Sequence, residues 1–303
     1  MFDTFKNRLE IRGILTTITA LRISAGRSSE PIGSDLPVIK DALGRPLIPG
    51  SSFKGALRSR LESFLRGIDP SLAANPAIES EWSITNEQLN GEDGIKKKVE
   101  KELEKYPERQ RIGKRDRLLT DKIIEKTDLA SILFGSPWLA SKLQIRDLTV
   151  LPDAWFGQYQ ERDGVAIDRD TETAADGKLY DYQVVPSDTP FYFEAVVENA
   201  EEWELGLLAL GLHQFETEQI PLGGGRSRGL GVVKLEIDKM QWVNADTPAK
   251  LRDYLQNSVN DKLESYKLDI EQQKEYKKQW TTAFIAELNK HIPNSSDSQT
   301  ANV

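Results

Sequence analysis

Apolar and polar residues alternate from Leu9 to Ser24, and the run is rich in β-branched types. A period of two with that composition predicts a strand buried on one face. Residues 26–37 carry Gly, Ser, Asp and two prolines and read as a loop; Val38 to Asp41 and Gly44 to Pro49 then form the arms of a short hairpin. From Ser51 the period lengthens. Phe53, Leu57, Leu61, Phe64 and Leu65 fall at helical spacing, with Ser51 or Ser52 as the N-cap and Gly67 as the stop.

Residues 68–130 have another texture, charge-dense from Glu92 to Arg117 and poor in large apolar groups, and they read as an insertion between two parts of one core. Apolar pattern resumes at Ile132–Phe134. A second alternating strand follows at Lys142–Val150, a third at Phe191–Val197 and a fourth at Gly231–Ile237, with a helical stripe of Trp203, Leu205, Leu208, Leu212 and Phe215 between the last two. Residues 157–182 are too acidic for a core and read as a hairpin or finger leaving the body. The order of strands and helices predicts an α+β, ferredoxin-like domain over residues 1–244, with helices on one face of the sheet. Amphipathic helices are expected over 245–293, and a polar, disordered tail over 294–303.

Composition narrows the chemistry. The chain has 303 residues, no cysteine and two histidines, His213 and His291. Disulfides, thiolate metal sites and cysteine nucleophiles are excluded, and a histidine-rich metal site or histidine triad is not expected. No apolar run reaches the roughly 20 residues that span a bilayer, and a cytoplasmic protein is expected. The net charge of −8 runs against nucleic-acid binding until its distribution is seen. Residues 1–60 hold ten Lys and Arg against five acids, whereas 147–204 holds three against fifteen. A basic face and an acidic face are the expectation.

Two elements have the makeup of phosphate sites. Pro49-Gly50-Ser51-Ser52-Phe53-Lys54-Gly55 is a tight turn opening a helix, where free amides and the helix dipole favour an anion and Lys54 and Arg58 stand one turn apart. It does not match a Walker loop. Gly223-Gly224-Gly225-Arg226-Ser227-Arg228-Gly229 combines glycines, which let a backbone approach a ligand, with arginines that donate to phosphate in pairs. A plain connection needs neither arginine.

These two elements stand in order with Asp35-Leu36-Pro37-Val38-Ile39-Lys40-Asp41, Leu133-Phe134-Gly135, Leu143-Gln144-Ile145-Arg146-Asp147 and Ile167-Asp168-Arg169. Together they resemble the RAMP superfamily of CRISPR-associated proteins, in particular the guide-lining backbone subunit of type III effector complexes, over roughly residues 10–240. The resemblance implies a ferredoxin-like (RRM-like) RAMP core with a charged insertion, a thumb-like hairpin and a helical C-terminal extension. It implies as partners a CRISPR RNA, a complementary target RNA and the other type III effector subunits. RNA contact falls to Arg27, Ser51, Ser52, Lys54, Arg58, Gly223, Gly224, Gly225, Arg226, Ser227 and Arg228, with Asp168 and Arg169 at the thumb.

Subunits of this kind cut target RNA with one aspartate in the loop after the first strand, in a reaction that needs Mg²⁺ or another divalent cation. The aspartate two positions before Pro37 is Asp35, which the resemblance makes the catalytic and metal-holding residue. Asp41 is expected to end the hairpin or pair with Arg45. Two further readings stand beside this one: a catalytically silent guide-RNA scaffold in the same assembly, and a stand-alone guide-processing nuclease. The latter calls for a general base near the RNA, and neither histidine lies in the two loops. The insertion and the helical extension depart from the plain repeating subunit and suggest a specialised one. Lys96-Lys97-Lys98 and Arg109-Gln110-Arg111 read as a solvated, charge-balanced helical face, with RNA contact as the second reading.

Overall fold

The computed structural model describes residues 3–24, 26, 36–167 and 174–292. Arg27, Asp35, Asp168, Arg169 and the tail from 294 lie outside the described residues.

Strand β1 (Asn7–Thr17) buries every second side chain, among them Leu9, Ile11 and Leu15. It ends at Thr17, short of the predicted Ser24, because the Thr17 hydroxyl donates to Pro186 O (2.8 Å) and its amide donates to Thr189 O (3.1 Å). Beyond it only single bridges remain, Leu21 to Val185 and Ser24 to Val38. After the two-residue strand β2 (Leu47–Ile48), helix α1 (Gly50–Ile68) buries Phe53, Leu57, Leu61 and Leu65, the predicted stripe without Phe64. Its N-cap is Pro49, not Ser51 or Ser52, and it runs past Gly67 to an Asp69 cap.

The insertion holds α2 (Asn86–Asn90), α3 (Ile95–Leu103) and α4 (Glu108–Lys126). Its apolar residues are enough for a small core of their own: Ile84, Leu89, Ile95, Val99, Leu103 and Ile123 pack with Ile132 and Leu139. The short helix α5 (Leu129–Phe134) returns the chain to the main body. The strand predicted over 142–150 divides in two. Strand β3 (Leu143–Ile145) joins the main sheet, whereas β4 (Leu148–Thr149) pairs with β2. Asp147 sits at the break, where its carboxylate accepts the Gly50 amide at 2.8 Å. Lys142, just before β3, is buried and reaches the buried Glu204 carboxylate at 2.6 and 2.7 Å.

Strands β5 (Gln160–Ile167) and β6 (Ala174–Val184) form an antiparallel hairpin, followed by β7 (Pro190–Glu198), α6 (Glu202–Glu216) and β8 (Val233–Asn244). The main sheet runs β3-β7-β1-β8, and its neighbours are all antiparallel. With α1 after β1 and α6 after β7, this is the ferredoxin-like βαββαβ arrangement expected. Both helices cover one face: Phe53 of α1 lies 4.2 Å from Phe215 of α6 and 5.0 Å from Phe193 of β7, centroid to centroid. Gly13 marks a bulge against β8, since a Cβ there would stand 2.2 Å from Glu236 O.

The C-terminal segment wraps the β8 side of the sheet. Helix α7 (Pro248–Val259) is followed by a bridge from Lys267 to Gln241 of β8, and α8 (Ile270–Asn289) then lies on α6. Trp280, Phe284 and Leu288 of α8 belong to the same apolar cluster as Leu9 and Phe53. Gly206 permits the contact, because any Cβ would meet Trp280 O at 2.1 Å.

Candidate nucleic-acid interface

Between α6 and β8 the chain makes a compact loop held at both ends by main-chain bonds. Leu222 N donates to Gly231 O (2.8 Å), Gly224 N to Arg22 O (2.8 Å) and Gly231 N to Ala20 O (2.9 Å). Two of its glycines are obligatory. Gly223 and Gly231 have φ of 71° and 87°, and a Cβ on either would lie 2.1 or 2.0 Å from a main-chain carbonyl oxygen. Between them Arg226–Arg228 form one 3-10 turn flanked by left-handed Gly225 and Gly229. Leu230 anchors this turn by burying itself against Ala20, Tyr182 and Val184. Arg226, Ser227 and Arg228 are left exposed. Arg226 Nε donates to Gly223 O at 3.1 Å, and the two exposed guanidinium groups keep further donors of the kind that suit an anion.

The loop is tied to the foot of the β5–β6 hairpin. Gly164 pairs with Tyr180 across the hairpin, and the Tyr180 ring lies where a Cβ of residue 164 would stand, 2.3 Å from the ring. Its hydroxyl accepts from Arg228 Nη1 at 2.9 Å, which raises the guanidinium pKa further above its ordinary value. Arg22 stacks its guanidinium over the Tyr182 ring at 4.7 Å. Leu36, the residue after Asp35, bridges Tyr182: its amide donates to Asp181 O (3.2 Å) and its carbonyl accepts from Gln183 N (3.1 Å). Three stretches distant in sequence therefore meet at one end of the sheet: the segment after β1 with Arg22, Leu36 with the hairpin foot, and the glycine loop. Arg22, Tyr180 and Tyr182 were not singled out from the sequence. The Tyr-Asp-Tyr triplet at 180–182 was the available signal, hidden in a stretch read by its charge.

The element opening α1 is built differently. The Gly50 amide is already taken by Asp147, so a carboxylate of the protein stands at this helix N-terminus. Lys54 Nζ donates to Ser141 Oγ (2.6 Å) and Leu143 O (2.9 Å), and burial beside Arg58 depresses its pKa. Arg58 donates to Glu62 (2.6 Å), Gly135 O (3.0 Å) and Ser131 Oγ (3.2 Å). Ser51 is exposed and Ser52 half-buried. Lys54 and Arg58 do stand one turn apart, and both fasten α1 to α5 and β3.

Some bases of the expected N-terminal face have acidic partners. Arg8 pairs with Glu198 (2.6 Å), Arg12 with Glu10 (2.6 Å), and Arg45 with Asp41 (2.8 Å), the last as the sequence suggested. Among the described residues no group of three or more His, Cys and acidic side chains is placed to hold a metal ion. Asp35, the residue expected to hold magnesium, lies outside the described residues.

A family model described as the RAMP superfamily matches residues 14–234, and the chain belongs to that superfamily. Among its relatives is the "CRISPR system Cms endoribonuclease Csm3" of Enterococcus italicus, 25% identical over 251 residues, which covers 79% of this chain and 95% of that protein. Proteins of the same name from Mycobacterium tuberculosis and Methanocaldococcus jannaschii are 48% identical over 56 residues and 45% over 60, or 18% and 20% of this chain. In these two matches the chain spans 24% of the relative's length. No helix among the described residues is long and apolar enough to cross a membrane.

Proposed function

We propose that this protein is a subunit of a type III CRISPR ribonucleoprotein in the cytoplasm that lines the CRISPR RNA and cuts paired target RNA in antiviral defence. The observation that carries the reading is the exposed Arg226-Ser227-Arg228 turn, held by left-handed glycines beside the hairpin foot, in a chain of the RAMP superfamily. Donors on such a turn recognise phosphate and not base, so base pairing of the guide would select the target. The hairpin, with Asp168-Arg169 beyond the described strands, acts as the thumb that displaces a base.

Displacing a base turns the ribose 2′-hydroxyl toward the neighbouring phosphate, and orientation accounts for most of the acceleration. Asp35 accepts the 2′-hydroxyl proton; the 2′-oxygen bonds to phosphorus and the bond to the 5′-oxygen breaks, and that oxygen takes a proton from water, leaving a cyclic phosphate and a 5′-hydroxyl. Magnesium bound by Asp35 and phosphate oxygens would neutralise charge at that phosphate. Leu36, next to Asp35 in sequence, is bonded to the hairpin foot. The test is Asp35→Ala in the reconstituted complex with labelled target RNA. Cleavage is expected to fall at least a hundredfold with guide binding unchanged; undiminished cleavage at every position would leave the scaffold reading.

A further inference from the structure

We propose that the α3–α4 arm of the insertion is a second, sequence-independent RNA-backbone contact, at the end of the sheet opposite the glycine loop. Between Ile95 and Arg117 ten Lys and Arg stand against five Asp and Glu, in a chain whose net charge is −8. Lys96, Lys97, Lys98, Lys101, Lys105 and Arg109 are all exposed and form no ion pair among the described residues. Arg8, Arg12, Arg45, Arg58 and Arg66, by contrast, are each paired with a carboxylate. Within the arm the acids are partly used up, Glu100 by Arg115 at 3.1 Å.

The arrangement works against the helix that carries it. Lys97 and Lys101 of α3 stand at four-residue spacing, about 6 Å apart along the helix axis, and like charges so placed destabilise a helix by roughly 0.2–0.5 kcal/mol, while Lys105 follows in the turn after the Glu104 cap. Glutamates in that stripe would have made it neutral, as they do between Arg58, Glu62 and Arg66 of α1. A row of long, mobile ammonium groups is suited to a phosphate chain, whose bound counterions it releases.

Topology sets the distance from the first contact. The glycine loop enters β8 at Val233, opposite Thr17, the last residue of β1. Arg117 of α4 approaches Asp3 at 3.5 Å, before the first residue of β1. Arg117 and the point where the glycine loop enters β8 thus lie at opposite ends of β1, a strand of 11 residues and about 35 Å. An RNA held at the glycine loop and long enough to pass along the body meets the arm at the far end.

The inference rests on RNA being the ligand of the protein, and the experiment separates the two. Full-length protein and two variants, Lys97→Gln/Lys101→Gln/Lys105→Gln and Arg226→Ala/Arg228→Ala, are titrated onto a fluorescent 40-nucleotide polyuridine over a range of salt. With about 0.7 in slope for each single-strand phosphate contact, the lysine variant is expected to lose about 2 from the slope of log K against log salt. At low salt it should bind roughly tenfold or more weakly, and its melting temperature should not fall, because the repulsion has gone. An unchanged slope in the lysine variant alongside a reduced one in the arginine variant overturns the arm and leaves the glycine loop standing. The reverse pattern keeps the arm and removes the loop. Unchanged RNA binding with lost co-purification of a neighbouring subunit would make the arm a protein contact and also overturn the proposal; no RNA binding by the unaltered chain defeats both readings.

Discussion

The turn that opens α1 and the loop that enters β8 are built from the same ingredients: glycine, serine and two cations within a few residues. Their polar groups point in opposite directions. At α1 the first amide is closed by Asp147, Lys54 is bonded to Ser141 and Leu143, and Arg58 to Glu62, Gly135 and Ser131. In the glycine loop it is an apolar residue, Leu230, that turns inward, and Arg226 and Arg228 stay at the surface. What separates them is what lies behind each turn. Behind α1 stand the free carbonyls and hydroxyls where α5 ends and β3 begins, and a buried acceptor left unmet is expensive, so the nearest cations are drawn in. Behind the glycine loop stands an apolar pocket, which takes a leucine, and the exposed arginines keep one local acceptor each, Gly223 O for Arg226 and the Tyr180 hydroxyl for Arg228. The loop arginines therefore keep at the surface donors that Lys54 and Arg58 spend inside the fold.

The largest test of this difference uses one methyl group. A Cβ at Gly50 would lie 2.3 Å from Ile145 O and 2.9 Å from Arg146 O, both main-chain atoms that cannot swing aside, whereas a Cβ at Gly224 would meet nothing within 4 Å. Gly50→Ala is expected to lower unfolding free energy by about 3 kcal/mol, near the upper end for overpacking, and Gly224→Ala by less than about 0.5 kcal/mol. Chemical denaturation reads both. Equal losses would show that the α1 turn is no more tightly packed than the loop.

A smaller effect distinguishes the cations themselves. Arg226→Ala/Arg228→Ala should leave the melting temperature within a degree or two and weaken RNA binding by roughly ten- to a hundredfold, with the salt slope reduced by about 1.4. Tyr180→Phe, which removes the acceptor of Arg228, should reproduce a minor part of that loss, since a freed guanidinium can still reach phosphate but is no longer aimed. Arg58→Ala should do the opposite, lowering stability by about 2 kcal/mol and leaving the affinity of the folded protein as it was. Loss of RNA affinity in Arg58→Ala at full stability would erase the distinction.

Local patterns were legible and long-range partners were not. The alternation of Leu9, Ile11 and Leu15 and the stripe of Phe53, Leu57, Leu61 and Leu65 need only a period, and each appears where that period puts it. The break at Arg146–Asp147 depends on an amide 97 residues away, and the capture of Lys54 on groups 87 and 89 residues away. No local spacing encodes such acceptors. The insertion shows the same limit: its leucines and isoleucines are thinly spread along the chain and become a core only when α3 folds against α4. At the site, the glycine loop could be picked out because its composition is unusual. Arg22, Tyr180 and Tyr182 could not, since each is an ordinary surface residue until the hairpin foot brings them together.

The smallest effect concerns the proton on Lys54. Burial and the Arg58 charge depress its pKa below 10.5 in the folded protein, so the unfolded chain holds that proton more readily. Between the lowered value and 10.5 the unfolded state binds more protons, and stability must rise with pH across that window; below it the penalty for the buried charge is fully present. Lys54→Met should remove this rise, measured as the difference between the two proteins' denaturation midpoints at neutral and alkaline pH. The RNA dependence is the sharper part. A lysine that gripped phosphate would be driven the other way by the added negative charge, and its pKa would climb when RNA bound. With Lys54 turned toward Ser141 and Leu143, the alkaline rise contributed by this residue should be the same with and without saturating RNA. If RNA abolishes it, Lys54 leaves its internal partners in the complex, and the α1 turn becomes a second phosphate grip after all.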